Sequence, residues 1–464
     1  SAVARTLAVV DMTKASKADV EMLKKLVIEF KDELDALGVQ VDELDKRVAV
    51  FESRLGGWKL GGQLRLDGRY NDKDGVDGHQ TGVDFARGRI YFDRRFGEDE
   101  SIHAFARLDI AGGTTPTSGP QRVFWENFYV EMPVAWDIQL TVGRVQWNFE
   151  SPYYFGGILT LGSDAWLTDR YTDILGLSKT FGLGKVTGYV ARPGYRNNDG
   201  LETWNGNAGA PENNMWEIFG AGQFEINEQF GFDLGFQYFN GDDDSSSFMT
   251  EDTTEWRFDN LWTIFGGLRF KFNESIALKG IYYRQGSSVS GRRDEIDWVD
   301  LSDVFGDSSA YKIILDVDQD LLKFTSLWLE YDKLEADFYM PTGIYGHRVG
   351  NVTPSYGFGM PDDRKLSNAT GSATGYVLND TTIWRIGAVQ KWNDKWKTAL
   401  FYSQYKWDFA GDPSAAQYGL GVSYMLNPST EIALSYTKVD YDSAAEVLEA
   451  ADESHIRFRT QVTF

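Results

Sequence analysis

The sequence predicts an all-β transmembrane barrel of about 18 antiparallel strands, or 16 if one hairpin is misread, with an N-terminal α-helical coiled-coil stalk. Three observations carry this prediction. Apolar residues follow a 3-4-3-4 spacing up to residue 55 and alternate from residue 58 to the end. Very short links and much longer links alternate between the strand-like segments. Aromatic residues make up 15% of the chain, and many Trp and Tyr residues stand near predicted strand ends.

The stalk is predicted over residues 20–55, where the apolar spacing continues without a miss. At about 1.5 Å per residue the rod would be roughly 54 Å long. A helix packed on its own chain is the alternative, and the bulky Phe residues leave both dimer and trimer open. The predicted core positions are Val20, Leu23, Val27, Phe30, Leu34, Leu37, Val41, Leu44, Val48, Phe51 and Leu55.

The barrel is predicted over residues 58–464 from the period-two pattern. Eight short turns alternate with nine longer loops, which places both ends of the barrel domain on the short-turn side. Tight turns are predicted at Asn227, Asn273, Gln319, Asn393 and Asn427. Residues 241–257 and 288–308 are predicted to be long loops.

A soluble β-repeat protein would show the same alternation and is the alternative to a membrane barrel. Trp and Tyr at strand ends favour the barrel, because aromatic girdles mark both membrane interfaces. No stretch approaches the roughly 18 consecutive apolar residues of a transmembrane helix, and the mean hydropathy is −0.38. A barrel hides its hydrophobic face in alternation, so this low hydropathy is compatible with a membrane.

Charge and composition exclude several functions. The net charge of −23 argues against a nucleic-acid partner, because phosphates need Lys and Arg to replace their counterions. Cysteine is absent, which removes disulfides, thiol catalysis and thiolate metal sites. Neither a glycine-rich phosphate loop nor a metal-ligand motif is found, so we predict no cofactor and no metal.

The first strands predict a basic inner wall. If their even positions face lipid, the odd positions place a series of arginines in the lumen. These are Arg65, Arg69, Arg87, Arg89 and Arg107. Arginines facing lipid at mid-bilayer would cost about 2–4 kcal/mol each. The wall is interpreted either as the basic side of a constriction or as a solvated wall paired with carboxylates such as Asp67 and Asp93.

The ends of the chain and its helix-to-strand junction resemble a known family. The heptad helix, the Gly56-Gly57-Trp58 junction, the strand meander and the final Phe464 resemble trimeric outer-membrane porins. Residues 12–19, 42–47 and 58–65 look like the stalk and first strand of OmpM-type porins of diderm Firmicutes.

The resemblance implies a homotrimer in the bacterial outer membrane, in contact with its lipids and lipopolysaccharide, that lets small hydrophilic solutes and ions diffuse passively. Phe464 would then be the barrel-assembly signal. In that family an S-layer-homology domain binds peptidoglycan or a secondary cell-wall polymer. Residues 1–10 resemble only its last helix. We therefore expect residues 1–19 to be the remnant of an upstream module and linker, in a processed or truncated chain.

The link 147–172 is predicted to fold into the barrel and narrow it. It is less polar than the other long loops, whereas a surface loop is normally polar. It is also the third long loop, the one that narrows the pore in trimeric porins. Glu150, Asp164 and Asp169 would oppose the arginines and create a transverse field. A trimer-contact or latch loop is the alternative.

Three functions compete on the sequence. The first is a passive diffusion channel, and the second is a tether between the outer membrane and peptidoglycan with a closed or narrow pore. The third is a barrel-based hydrolase, which needs a His close to Ser or Asp. The four His residues show no nucleophile elbow, so we predict that the chain is not an enzyme. They are His79, His103, His347 and His455.

Overall fold

The computed structural model describes residues 25, 57–73, 80–97, 99–111, 122–147, 166–167, 170–191, 216–241, 249–251, 254–293, 299–300, 306–339, 377, 379–408, 411–442 and 452–464. The chain divides into two compact units, Ser1–Lys59 and Leu60–Phe464. In the first unit Lys25 is helical and exposed. The predicted heptad core lies outside the described residues, so the coiled coil stays a prediction. No helix in the described ranges is long and apolar enough to cross a membrane.

The described strands form a single antiparallel sheet. They are β1 (Lys59–Lys73), β2 (Gln80–Phe96), β3 (Ile102–Ala111), β4 (Arg122–Pro133), β5 (Gln139–Trp147), β6 (Arg170–Phe181), β7 (Gly184–Ala191), β8 (Trp216–Glu225), β9 (Phe230–Asn240), β10 (Met249–Glu251), β11 (Thr254–Asn273), β12 (Ile276–Arg293), β13 (Val299–Asp300), β14 (Ser308–Val317), β15 (Ser326–Leu334), β16 (Thr381–Lys391), β17 (Trp396–Trp407), β18 (Ser414–Asn427), β19 (Thr430–Tyr441) and β20 (Glu453–Thr463). A 3-10 turn (Ala135–Asp137) and a one-turn helix α1 (Gln319–Leu322) complete the described elements.

Eighteen of these strands close into a barrel, which confirms the predicted strand number. The short β10 and β13 are additions that pair with β11 and β12, while β9 pairs directly with β11 and β12 with β14. The last strand closes the barrel by pairing with the first, from Gln63↔Thr463 to Lys73↔Glu453. Closure leaves no open sheet edge, which is the condition for a β-structure to span a membrane.

Asparagine side chains build four of the short turns. The Asn227 Oδ1 accepts hydrogen bonds from the backbone N–H groups of Gln229 (2.9 Å) and Phe230 (2.8 Å). Asn273, Asn393 and Asn427 accept the equivalent bonds in their own turns. Asn favours such turns because its short amide replaces a backbone acceptor two residues away. The turns predicted at these four asparagines are confirmed.

Three predicted links differ from the structure. The link at Gln319 is the helix α1, which ends at Lys323 in the left-handed conformation (φ 66°), and not a tight turn. The predicted loops 241–257 and 288–308 are partly strand, because β11 and β12 pair out to Thr254↔Arg293, across a register shift between Phe258 and Asn260. A strand as long as β11 spans about 65 Å, roughly twice the hydrocarbon core of a bilayer. The β11–β12 hairpin is therefore longer than a membrane crossing requires.

The two faces of the wall differ as the alternation predicts. Trp384 is 55% exposed on the outer face, whereas the next residue, Arg385, is 1% exposed on the inner face. The outer face carries exposed Leu, Ile, Val and Phe along nearly every strand. Exposed Trp residues stand near both ends of the wall, with Trp216 and Trp384 at the long-loop end and Trp392 and Trp396 at the short-turn end. This arrangement is typical of the aromatic girdles of membrane barrels.

The inner face is less uniformly charged than the sequence suggested. Beside the polar side chains it holds one connected apolar cluster from strands β5 to β19. Its largest aromatic members are Trp166, Tyr189, Phe219, Phe265, Tyr283, Phe338, Tyr405 and Trp407. Part of the interior is therefore packed like the core of a soluble domain, because these rings bury against one another and not against lipid.

The barrel seam depends on a glycine. The backbone N–H and C=O of Gly62 bond to the last residue, Phe464, at 2.7 and 3.0 Å. A Cβ on Gly62 would lie 2.4 Å from the Phe464 ring and 2.7 Å from the carbonyl oxygen of Arg89. We expect Gly62→Ala to lower the free energy of unfolding by about 1–3 kcal/mol, as overpacking does. Urea unfolding of the refolded barrel measures this, and Gly182→Ala, where the added Cβ meets open space, is the control.

Candidate functional site

The predicted arginines lie on the inner face of adjacent strands. Arg65 and Arg69 belong to β1, Arg87 and Arg89 to β2, and Arg107 to β3. Their outward neighbours on β1, Leu64 and Leu66, are exposed on the opposite face. We call this wall, formed by β20 and β1 to β4, the arginine wall. The structure thus brings the five predicted arginines to one side of the barrel.

The arginine wall also includes two arginines from the last strand that the sequence interpretation did not single out. Arg459 donates two hydrogen bonds of 2.7 Å to the carboxylate of Asp67, which is fully buried. Arg457 and Arg69 lie 3.8 and 3.4 Å from the same carboxylate. The alternation of β20 already placed these arginines on the inner face. Only the pairing of β20 with β1 shows that they join the predicted group.

Arg65 has a different environment. Its Nε and Nη2 donate hydrogen bonds of 3.1 and 2.7 Å to the side-chain oxygen of Gln461, a neutral amide. Arg87, Arg459 and Arg89 act on it with like charge, and Asp67 acts on it with the opposite charge. Like-charged groups in a medium less polar than water repel strongly.

Arg89 and Arg107 share their carboxylates on the next strands. Each lies 2.9 Å from an oxygen of Asp109, and Glu126 pairs with both. Glu126 reaches them through a β-bulge, because Arg107 pairs with Asn127 and the following Leu108 pairs with Trp125. The extra residue of a bulge redirects its side chain toward the inner face. Here the structure agrees with the alternative interpretation of a wall paired with carboxylates.

A second buried charge cluster lies on β15 and β16. Arg385 donates to the carboxylates of Glu330 and Asp332, the latter at 2.7 Å, and all three side chains are buried. The register places Arg385 directly opposite Glu330, and Asp332 follows two residues later on the same face. The sequence interpretation missed this cluster. The alternation could have revealed it, because Glu330, Asp332 and Arg385 stand at inward positions of their strands. Their chain neighbours Leu329 and Trp384 are exposed on the outer face.

Six residues of the predicted inserted loop 147–172 are described. The predicted bounds are too wide, because residue 147 ends β5 and residues 170–172 begin β6, which leaves Trp166 and Leu167 as the described residues between the strands. Trp166 is fully buried, with its ring 5.4 Å from Tyr283 and 6.1 Å from Phe338, and the Lys312 ammonium lies 4.0 Å from its centre. The backbone oxygen of Leu167 accepts a 3.3 Å hydrogen bond from Gln237 of β9. Both residues therefore contact inward side chains of the barrel wall. Glu150, Asp164 and Asp169 lie outside the described residues.

A second segment packs beside Trp166. Phe338 and Tyr339, which follow β15, are fully buried, and Val377 exchanges backbone hydrogen bonds with this segment. The backbone N–H of Tyr339 donates a 2.6 Å hydrogen bond to the Oε1 of Gln285 on β12. The Nε2 of Gln285 donates a 3.0 Å hydrogen bond to the backbone oxygen of Tyr339. The buried amide of Gln285 is thus satisfied by backbone, as a buried polar group requires.

The described histidines lie beside carboxylates. His103 places its Nε2 2.8 Å from Asp93 and its Nδ1 3.4 Å from Glu131, and His455 lies 3.3 Å from Glu453. The two contacts of His103 are carboxylates and not the serine hydroxyl that a base could activate. Among the described residues, no group of three His, Asp or Glu side chains could hold a metal ion.

Solved structures share this architecture. OpdQ of Pseudomonas aeruginosa superposes with a TM-score of 0.53 at 11% sequence identity, over 88% of this chain and 98% of that chain. OccK8 (OprE) and OpdO of the same organism give 0.52 at 11% and 10% identity, each over 88% of this chain and at least 97% of theirs. The chain has the fold of an outer-membrane porin.

At this identity the similarity to the porins establishes the fold and nothing finer. No protein-family model and no curated protein sequence matches the chain. The chain spans nearly the whole of each porin barrel, so the comparison covers the complete architecture. The chemistry of the lumen must therefore be argued from this chain's own side chains.

Proposed function

We propose that the chain is an outer-membrane porin that lets small hydrophilic solutes and ions diffuse passively. The closed 18-stranded barrel carries this proposal, because its outer face is apolar and its inner face holds many charged side chains. Such a wall suits lipid outside and water inside. Similarity to porins such as OpdQ supports the proposal at the level of the fold.

The arginine wall would set the charge selectivity of the pore. We propose that Arg65, Arg69, Arg87, Arg89 and Arg107 form its basic side. The residues 147–172 would supply the narrowing segment, with Glu150, Asp164 and Asp169 as its acidic face. The contacts of Trp166 and Leu167 with the inner wall support an inserted loop. Opposed charges across a narrow aqueous gap favour dipolar solutes over apolar ones.

Assembly and tethering are finer parts of the same proposal. We propose a homotrimer in the outer membrane, surrounded by lipid and lipopolysaccharide, with residues 20–55 as a periplasmic coiled-coil stalk. In a longer form, an upstream module would bind peptidoglycan or a secondary cell-wall polymer. The heptad spacing and the resemblance of residues 1–70 to OmpM-type porins support this part.

A mainly structural tether with a closed or narrow pore is the second candidate. The apolar cluster inside the barrel favours it, because Trp166, Phe338 and Tyr339 occupy space on the inner side of the wall. The charged arginine wall favours the porin. In a sealed interior, many guanidinium groups would cost desolvation energy and add little stability. Conductance distinguishes the two functions.

Reconstitution in a planar lipid bilayer tests the porin proposal. We expect large ohmic current steps that occur in multiples of three, because each trimer would carry three lumens. A matched preparation of detergent and lipid without protein is the control. A folded, inserted barrel that passes no current would overturn the porin and leave the tether.

Selectivity should depend on the arginine wall. We expect combined replacement of Arg65, Arg87 and Arg107 by Ser to shift the reversal potential in a salt gradient toward cations, because three lumen charges are lost. Arg65→Ser alone should carry more of this shift than Arg107→Ser, since Asp109 and Glu126 already neutralise Arg107. An unchanged reversal potential in the triple variant would contradict the proposed role.

A further inference from the structure

Three aromatic side chains form a row on the inner face, on the short-turn side of Arg89 and Arg107. They are Tyr91 of β2, Phe105 of β3 and Tyr129 of β4. The ring centres of Tyr91 and Phe105 are 6.3 Å apart, and those of Phe105 and Tyr129 are 5.5 Å apart. Both separations lie in the contact range of aromatic pairs. We call these three side chains the aromatic strip.

The aromatic strip differs from the other aromatic residues of the interior. Tyr189, Phe219 and Tyr283 are buried within the apolar cluster. The rings of the aromatic strip are instead partly exposed, and Tyr129 packs against the edge of that cluster. Partly exposed rings keep apolar surface in contact with water. A solute that covers this surface gains free energy from the hydrophobic effect.

Hydrogen-bonding side chains border the aromatic strip on both sides. Toward the long loops lie Arg89 and Arg107, and toward the short turns lie Asp93 and Glu131. The side chains of Asp93 and Glu131 are 41% and 36% exposed, so their carboxylates retain accessible acceptor sites. The aromatic strip therefore lies between donors on one side and acceptors on the other.

The charges on both borders are compensated by neighbouring groups. The two arginines share the carboxylates already described. On the other border, His103 places one ring nitrogen 2.8 Å from Asp93 and the other 3.4 Å from Glu131. Arg95 stands opposite His103 in the strand register, and Lys185 acts on Glu131 with the opposite charge. An ion of either sign gains little net attraction from such a balanced environment, which favours a neutral solute.

We propose that the aromatic strip binds a neutral saccharide. This inference rests on the proposed porin function, which brings hydrophilic solutes into the lumen. A pyranose ring carries C–H groups on its faces and hydroxyl groups around its edge. It can therefore cover aromatic side chains while its hydroxyls reach the donors and acceptors on both borders, the usual division of labour in a ligand site. Neighbouring strands are about 4.8 Å apart, so the aromatic strip spans roughly 10 Å, more than one sugar ring.

The site is tested with maltose as the probe and sorbitol as its control. Maltose has two pyranose rings, whereas sorbitol is a linear polyol. In a planar bilayer, maltose should reduce the wild-type ion current in a saturable manner, beyond the reduction caused by sorbitol at equal viscosity. In detergent, maltose should also raise the midpoint of thermal unfolding, because a ligand that binds only the folded state stabilises it. Sorbitol at equal osmolality reports the general stabilisation by excluded polyols.

Variants of the aromatic strip connect the response to its rings. Phe105→Leu removes the central ring and keeps an apolar side chain. It should raise the maltose concentration for a half-maximal effect by about two- to tenfold, the range that one aromatic contact produces. Tyr91→Leu should act in the same direction and replaces the first variant if that one does not fold. Trp125→Leu removes a ring from the outer face of β4 and should leave the maltose response unchanged.

Two results would overturn the saccharide site. The first is a wild type without a saturable maltose effect beyond that of sorbitol, or strip variants that respond to maltose as fully as the wild type. The second is a wild type that tetramethylammonium blocks at lower concentration than maltose, with this block lost in Phe105→Leu. That result would assign the aromatic strip to an organic cation.

The same measurements separate this inference from the porin proposal. A barrel that conducts ions without a maltose effect on current or unfolding midpoint keeps the porin and overturns the site. A barrel that passes no current but is stabilised by maltose, with the effect weakened in Phe105→Leu, overturns the porin and keeps the site.

Discussion

Replacing Arg385 by Leu is expected to lower the free energy of unfolding of the barrel by about 3–5 kcal/mol, the cost of breaking a buried ion pair from one side. Arg385 is 1% exposed and neutralises two carboxylates that are themselves buried, Glu330 and Asp332. Without the guanidinium the two negative charges repel at close range in a poorly solvated wall. Urea unfolding in detergent micelles or lipid vesicles measures the change.

A neutral triple variant is the matched control for this prediction. Glu330→Gln, Asp332→Asn and Arg385→Gln together remove all three charges, with isosteric replacements of the two carboxylates and a shorter side chain at residue 385. We expect this variant to recover most of the lost stability, because no buried charge remains uncompensated. If Arg385→Leu alone proved as stable as the wild type, the inferred compensation on β15 and β16 would be wrong.

The second large effect is expected on the pore itself. Trp166→Ala should raise the single-channel conductance and the current noise, because Trp166 joins its segment to the inner wall. The ring packs against Tyr283 and Phe338 and holds the Lys312 ammonium over its face at 4.0 Å. Removing a buried Trp side chain also costs about 3–5 kcal/mol, so unfolding measurements should accompany the recordings.

Trp384→Ala is the control for the loss of an indole. Trp384 lies on β16 and is 55% exposed on the outer face, so its replacement should leave the conductance unchanged. A folded Trp166→Ala barrel with wild-type conductance and noise would contradict an inserted loop that narrows the pore. Increased conductance in both variants would indicate a general loosening of the wall.

Much of the barrel could be predicted because its signals are local. The two-residue alternation sets which side chains face outward, as Leu64 and Leu66 show against Arg65. The side chains of the four turn asparagines accept hydrogen bonds from backbone N–H groups two or three residues away. These turns can therefore be predicted from the local sequence. Two of the links that were wrong depend on pairing between strands, because β11 and β12 continue into the predicted loops 241–257 and 288–308.

The candidate site could be predicted only in part. The alternation predicts that Arg65, Arg87 and Arg107 point inward. It does not predict which side chains they pair with. Glu126 joins Arg107 through a bulge, which a count of strand positions does not show. The Arg385 cluster was missed because its carboxylates lie on the strand before, in a register that only the sheet defines.

The sequence by itself determined that this chain forms a barrel with an apolar outside, because alternation and turn chemistry are properties of neighbouring residues. It also determined that arginines line one wall. Only the tertiary structure decided how charge is distributed along that wall. Closure of the barrel brings Arg457 and Arg459 of the last strand beside Asp67 of the first strand, although these residues are far apart in the sequence. Electrostatic energy depends on separation in space, and separation along the sequence does not report it.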